Sequence, residues 1–184
     1  IKEIHVGAVK NECKELLVVC QQTTDNSQQT SCNNLLSAVD LRENWRFNFT
    51  EEEEQNANVS FADEIGKYLY EPGVACMKAA PFRLLSQRFN IKKLHRNSHL
   101  YTSDELVTDF PGRIFEVINV VPFDKKAKKV LSQQTTVNGQ QTLSKASIAV
   151  RNFPLSAEEL RKHLGFKDGD DFYIFGTTMK GEKK

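Results

Sequence analysis

Short apolar runs separated by polar stretches set the rhythm of this chain. Residues 3–9 and 15–20 are rich in Val, Ile and Leu and flank the polar Lys10-Asn11-Glu12-Cys13-Lys14, which predicts two strands around a turn or a one-turn helix. Residues 35–41 and 45–49 predict two more. Trp45, Phe47 and Phe49 alternate with Arg46 and Asn48, the period of a strand with one buried face, and an antiparallel hairpin is the natural connection. Residues 61–70 read two ways, because Phe61, Ile65 and Leu69 have helical spacing while Lys67-Tyr68-Leu69-Tyr70 suits a strand. Pro81 fits a first helical position, with Phe82, Leu85 and Phe89 on one face and Arg83, Gln87 and Arg88 elsewhere, a short basic amphipathic helix.

Further on, residues 114–121 and 148–152 predict strands, and Ser156 opens a helix with every local signal in agreement. Its hydroxyl can cap the amide of Glu159, whose carboxylate reaches back; Leu155 and Leu160 hold the staple positions, and Gly165 suits the exit. Asp168-Gly169-Asp170 predicts a turn before a buried strand at 172–175. The order strand, strand, helix, strand from Pro111 onward indicates an α+β domain.

Composition narrows this picture. The chain has 184 residues, 21.0 kDa and 39% apolar residues, which allows one ordinary domain or two small ones with a packed core. No apolar run approaches the roughly 18 residues of a membrane span, and no secretory signal pattern opens the chain. Cys13, Cys20, Cys32 and Cys76 lack any two-residue spacing and read as reduced thiols of a cytoplasmic protein. The first residue is Ile1, already inside a strand-like segment, and the expectation is that a preceding part of a longer protein has been removed. A decapeptide at 21–30 recurs at 133–142 with eight of ten positions identical, too short for a solenoid repeat and suited to an exposed hairpin or loop.

Net charge is +1, but its distribution is uneven: residues 1–71 hold six bases and 13 acids, whereas residues 72–157 hold 13 bases and five acids. Between Pro72 and Ser103 there are six Lys or Arg, two His and no acid. Such a segment either concentrates positive potential for a polyanion such as RNA or forms an ordinary solvated face. The run of Glu at 51–54 reads as an exposed loop.

Motifs that carry chemistry elsewhere are missing from the sequence: it has no glycine-rich phosphate loop, nucleophile elbow, zinc-type Cys pairing or His-Glu-x-x-His. No catalytic, cofactor-binding or metal-binding residue is therefore assigned. His95 and His99 would share one face of a helix, but Asn97-Ser98 favours a turn and the neighbouring cations oppose a metal ion. The expected use of the pair is donation to phosphate or ribose together with Lys92, Lys93 and Arg96. Lys78 and Arg83 extend this basic set. Tyr101, Phe110 and Phe115 are candidates for stacking on bases, with core packing the better reading of Phe115. Arg113 and Arg151 are candidates for gripping phosphate, or else for pairing with Asp109 or Glu116.

Several long words of the sequence resemble a known bacterial family. They are Glu3-Ile-His-Val-Gly-Ala-Val-Lys-Asn-Glu-Cys-Lys-Glu-Leu17, Tyr68-Leu-Tyr-Glu-Pro72, Lys93-Leu-His95, Ser98-His-Leu-Tyr-Thr-Ser-Asp104, Phe110-Pro-Gly-Arg113, Arg151-Asn-Phe-Pro-Leu-Ser156 and Lys167-Asp-Gly-Asp-Asp-Phe-Tyr-Ile-Phe175. The family is that of S-adenosylmethionine-dependent methyltransferases ending in a ferredoxin-like segment and a THUMP-like domain. The resemblance implies an α+β chain in which residues 1–60 are the last strands of a Rossmann-like methyltransferase domain, 65–110 the ferredoxin-like segment and 111–184 the THUMP-like domain. It also implies that the cofactor loop and the catalytic motif lie upstream, so that the parent is an enzyme using S-adenosylmethionine and this fragment by itself is not one. The expected partners are RNA and the upstream methyltransferase domain of the same chain. The alternative is a structural or oligomerisation platform for a methyltransferase with a different substrate.

Overall fold

The computed structural model describes residues 3–9, 12–19, 35–41, 43–134, 136–137, 140–141, 145–170 and 172–179. The first copy of the repeated decapeptide lies outside them, and the second contributes the two-residue strands β9 (Thr136–Val137) and β10 (Gln140–Gln141), paired antiparallel. Four strands, β1 (Glu3–Val9), β2 (Glu12–Val19), β3 (Leu35–Asp40) and β4 (Trp45–Thr50), form a first sheet in the order β2-β1-β3-β4. All its neighbours are antiparallel except β1 and β3. The alternation expected of β4 is present: Phe47 and Phe49 are buried and Arg46 and Asn48 exposed.

The glutamate run is a helix, α1 (Glu51–Asn56), rather than a loop. Thr50 and Glu53 close a capping box, and carboxylates in a first turn favour the positive end of the helix dipole. Glu54 then accepts from the backbone N–H groups of Arg83 and Leu84, both at 2.8 Å, so an acid of α1 caps α3 (Phe82–Arg88). Pro81 is the N-cap of α3 rather than its first helical residue. Before it, α2 (Val74–Ala79) is a helix the periodicity did not signal; it buries Ala75 and Cys76.

A second sheet has the order β6-β7-β5-β8, built from β5 (Tyr68–Pro72), β6 (Lys92–His95), β7 (Ser98–Ser103) and β8 (Gly112–Glu116), all antiparallel. The ambiguous segment thus resolves as a strand only from Tyr68. The strand expected over 114–121 stops at Glu116, after which Ile118 and Val120 are exposed. One buried cluster joins the first sheet, both helices and this second sheet through Val6, Ala38, Phe47, Cys76, Leu85 and Tyr101. The opposite face of the second sheet packs Leu69, Leu94 and Leu100 with Phe115 and Phe175.

The C-terminal unit pairs β11 (Ser147–Arg151) with β12 (Tyr173–Thr177) in parallel, and packs α4 (Ala127–Gln134) and α5 (Ala157–Leu164) through Ala127, Leu160 and Leu164. The helix predicted from Ser156 is present with its capping box, and Gly165 ends it at φ 77°. The strand expected to be buried at 172–175 is only partly so, with Tyr173 41% exposed. The architecture is α+β, and among the described residues no helix is long and apolar enough to cross a membrane.

Candidate functional site

The basic residues singled out in the sequence divide into an outward set and an inward set. Lys92 and Arg96 are exposed on the β6–β7 hairpin, Lys78 in the last turn of α2 and Arg83 in the first turn of α3. Strand alternation turns Lys93 the other way. It is 6% exposed, its Nζ donates to the Arg96 carbonyl at 3.1 Å and lies 5.5 Å from the centre of the Phe82 ring, and burial lowers its pKa against the opposing pull of Glu54.

His95 and His99 do not form the helical pair that a shared metal would require, since they sit on two strands of a hairpin. The Nδ1 of His95 accepts from the Asn97 N–H at 3.0 Å and lies 2.9 Å from Nδ2 of Asn152 in the C-terminal unit. His99 stacks on Phe82, ring centres 3.6 Å apart and planes at 21°. Its pKa is pushed down to about 4 by desolvation first, then by Lys93 and Arg151, and its Nδ1 is buried without a partner. Among the described residues no three His, Cys, Asp or Glu come together as a metal-ligand group.

Arg113 and Arg151, 38 positions apart in the sequence, meet on one carboxylate. Both bind Glu71, which is 6% exposed, rather than Asp109 or Glu116. Arg113 reaches it with Nε and Nη2 across the β5–β8 pair, and Arg151 with Nη2 at 2.5 Å from β11. Gly112 permits the approach of these strands, because a Cβ there would lie 2.7 Å from the Gly73 nitrogen. Beside the ions, Tyr173, Phe115 and Phe175 form an aromatic cluster, and Arg113 lies 5.1 Å from the Tyr173 ring.

The aromatic candidates fare differently from their stacking assignment. Tyr101 is fully buried and donates to the Phe82 carbonyl at 2.7 Å, and Phe110 is 4% exposed. Phe115 packs as expected. The sequence reading passed over the α4–α5 surface: Ala127 is buried against α5, and Lys125, Lys126, Lys128 and Lys129 around it are exposed. The run Lys125-Lys126-Ala127-Lys128-Lys129, one apolar residue amid four cations, was the available signal. Lys162 and His163 are exposed in the last turn of α5, and Phe123, 44% exposed, contacts His163 with ring centres 5.1 Å apart. A cleft of about 620 Å³ borders the Glu71 ion cluster, lined by Asp40, Glu43, Trp45, Asp109 and Phe110 and, at its edge with the cluster, by Arg113. Its acids oppose a phosphate ligand.

Two units of known kind account for the architecture from Tyr68 onward. Residues 68–111 match the model of a ferredoxin-like domain, and residues 112–184 that of a domain described as THUMP domain-like, so the chain carries the one followed by the other. The crystal structure of a "putative methyltransferase from Porphyromonas gingivalis W83" is similar throughout, at TM-score 0.81 and 38% identity over 97% of this chain. The match covers 42% of that chain, so the present chain spans under half its length. A search of the curated proteins finds no match. The boundary between the two matched domains falls at the start of β8, which leads the THUMP-like match yet completes the ferredoxin-like sheet.

Proposed function

We propose that this chain is the RNA-holding portion of an S-adenosylmethionine-dependent methyltransferase, with methyl transfer performed by a domain outside these 184 residues. The observation that carries the reading is the lysine face at the start of α4 within the THUMP-like unit. Ala127 anchors the start of α4, so Lys128 in its first turn and Lys125 and Lys126 just before it are exposed to solvent. Lys78, Arg83, Lys92 and Arg96 supply further outward cations. His95, half-exposed on the same hairpin, is placed to donate from its remaining nitrogen. Lys93 and His99 act from inside, by holding the hairpin.

Binding of total cellular RNA, followed by fluorescence anisotropy, tests the reading. With about five phosphate contacts, affinity falls roughly a hundredfold between about 50 and 200 mM salt. Charge reversal at Lys125, Lys126 and Lys128 weakens binding at least about tenfold and flattens the salt slope. Binding indifferent to salt, or absent, removes it.

A second reading has its own support in the shared core of the first and second sheets. A ferredoxin-like unit whose interior is continuous with the preceding sheet is suited to bracing that sheet. On this view the unit is a platform for a methyltransferase acting on another substrate. The double reversal Lys92→Glu, Arg96→Glu then leaves methylation by the parent enzyme intact. Lys93 has no place in that experiment, because reversing a buried cation unfolds the hairpin.

A further inference from the structure

At the seam between the ferredoxin-like and THUMP-like units, two guanidiniums face one carboxylate. Glu71 is buried, while the Arg113 and Arg151 side chains are 41% and 37% exposed, so two guanidiniums reach solvent around one carboxylate. Asp40, Glu43 and Asp109 line the cleft on one side of Arg113, which leaves the Arg151 and Tyr173 side as the one open to an anion. The two forks are held in place. Arg113 uses Nε and Nη2 on Glu71 and Nη1 on the Tyr173 hydroxyl at 3.3 Å; Arg151 uses Nη2 on Glu71 and Nη1 on the Val150 carbonyl at 2.8 Å. A guanidinium has five N–H donors, so each retains donors already fixed in direction. Tyr173 stands next to them, 41% exposed, its ring stacked on Phe175 at 19° and its position fixed by the Phe115 contact. An oriented pair of forks beside an exposed aromatic ring suits a phosphate with a flat group attached.

We infer that Arg113, Arg151 and Tyr173 form a seat for one phosphodiester of an RNA chain and an adjoining base, with Glu71 as the buried carboxylate that holds both forks ready. The inference rests on the RNA reading above and deepens it. The lysine face supplies diffuse attraction, whereas this seat fixes register, because its donors are directional and drawn from both units. Arg113 and Arg151 are binding residues here and Glu71 a positioning residue.

The test uses the full chain with 4-thiouridine-labelled cellular RNA, cross-linked at long wavelength and mapped by peptide mass spectrometry. Cross-links to the peptide holding Tyr173 are expected, and millimolar inorganic phosphate leaves them in place. Arg113→Lys and Arg151→Lys keep the charge and lose the fork, so each lowers RNA affinity about tenfold with the thermal melt as a control for folding. Cross-links confined to the α4–α5 peptides, with RNA still bound, overturn the seat and leave the RNA reading standing. Loss of the Tyr173 cross-link to inorganic phosphate alone shows a free-anion site and overturns the assignment to RNA. No RNA retained at low salt overturns both.

Discussion

Glu71 joins β5 to β8 and β11 through two guanidiniums. Replacing it with Ala strands two guanidiniums at a seam that is only partly open to water, and the expected cost is about 2–3 kcal/mol, below the fully buried case because both arginines are part-exposed. Denaturant unfolding measures it. His99 gives a pH signature. Its pKa falls from the ordinary 6.5 to about 4 in the folded chain, so below 6.5 the unfolded chain binds the proton more readily. Stability is therefore fully present above 6.5 and declines as pH falls toward about 4; His99→Gln flattens that part of the melting profile. Cys76 is buried and its thiol is raised to about 12, so alkylation of that peptide waits on unfolding. None of these burials was legible from residue type. A Lys, two His and two Arg look alike in sequence, and only strand alternation and partners 11 to 80 positions away separate those facing in from those facing out.

Local chemistry was most readable where a signal is complete within a few residues. Ser156, Glu159 and Gly165 specify α5 at both ends without outside help, and Ser156→Ala costs about 1 kcal/mol, seen as a lower melting temperature. The alternation in β4 was equally plain. Elements that depend on distant partners were not readable. The glutamate run was missed for another reason, since its Thr50–Glu53 capping box is as local as that of α5; its like charges pointed to a solvated loop, and Arg88 pairs with Glu53 at 2.8 Å. Its last acid then serves α3, 29 positions on, so Glu54→Ala frays both helices where Glu54→Gln, which keeps one acceptor oxygen, frays them less; hydrogen exchange at Arg83 and Leu84 distinguishes the two. Likewise β8 ends early because the sheet partner β5 begins only at Tyr68, which pairs with Glu116.

At the scale of the whole molecule, the described residues form one cluster shared by the first and second sheets, one in which Phe175 and Met179 pack on the second sheet, and one within the C-terminal unit. A chain beginning at residue 65 loses Val6, Ala38, Phe47 and Phe49 from the shared cluster and exposes Tyr70, Ala75 and Cys76; the expected result is aggregation or a molten state, visible as dye binding. The family resemblance in the sequence anticipated the ferredoxin-like and THUMP-like units, because long words survive where strands and turns must pack. Glu71, Arg113, Arg151 and Tyr173 all lie inside those words, but nothing in the words says that the four side chains, from β5, β8, β11 and β12, meet at one seam.

That common interior has a mechanical consequence. With Phe47 and Cys76 wedged into the same apolar mass as Tyr101, the first two sheets cannot swing about a linker, and the clamp at Glu71 ties the third unit to the second. Any surface on the third unit is thus kept at a set distance and bearing from the first sheet.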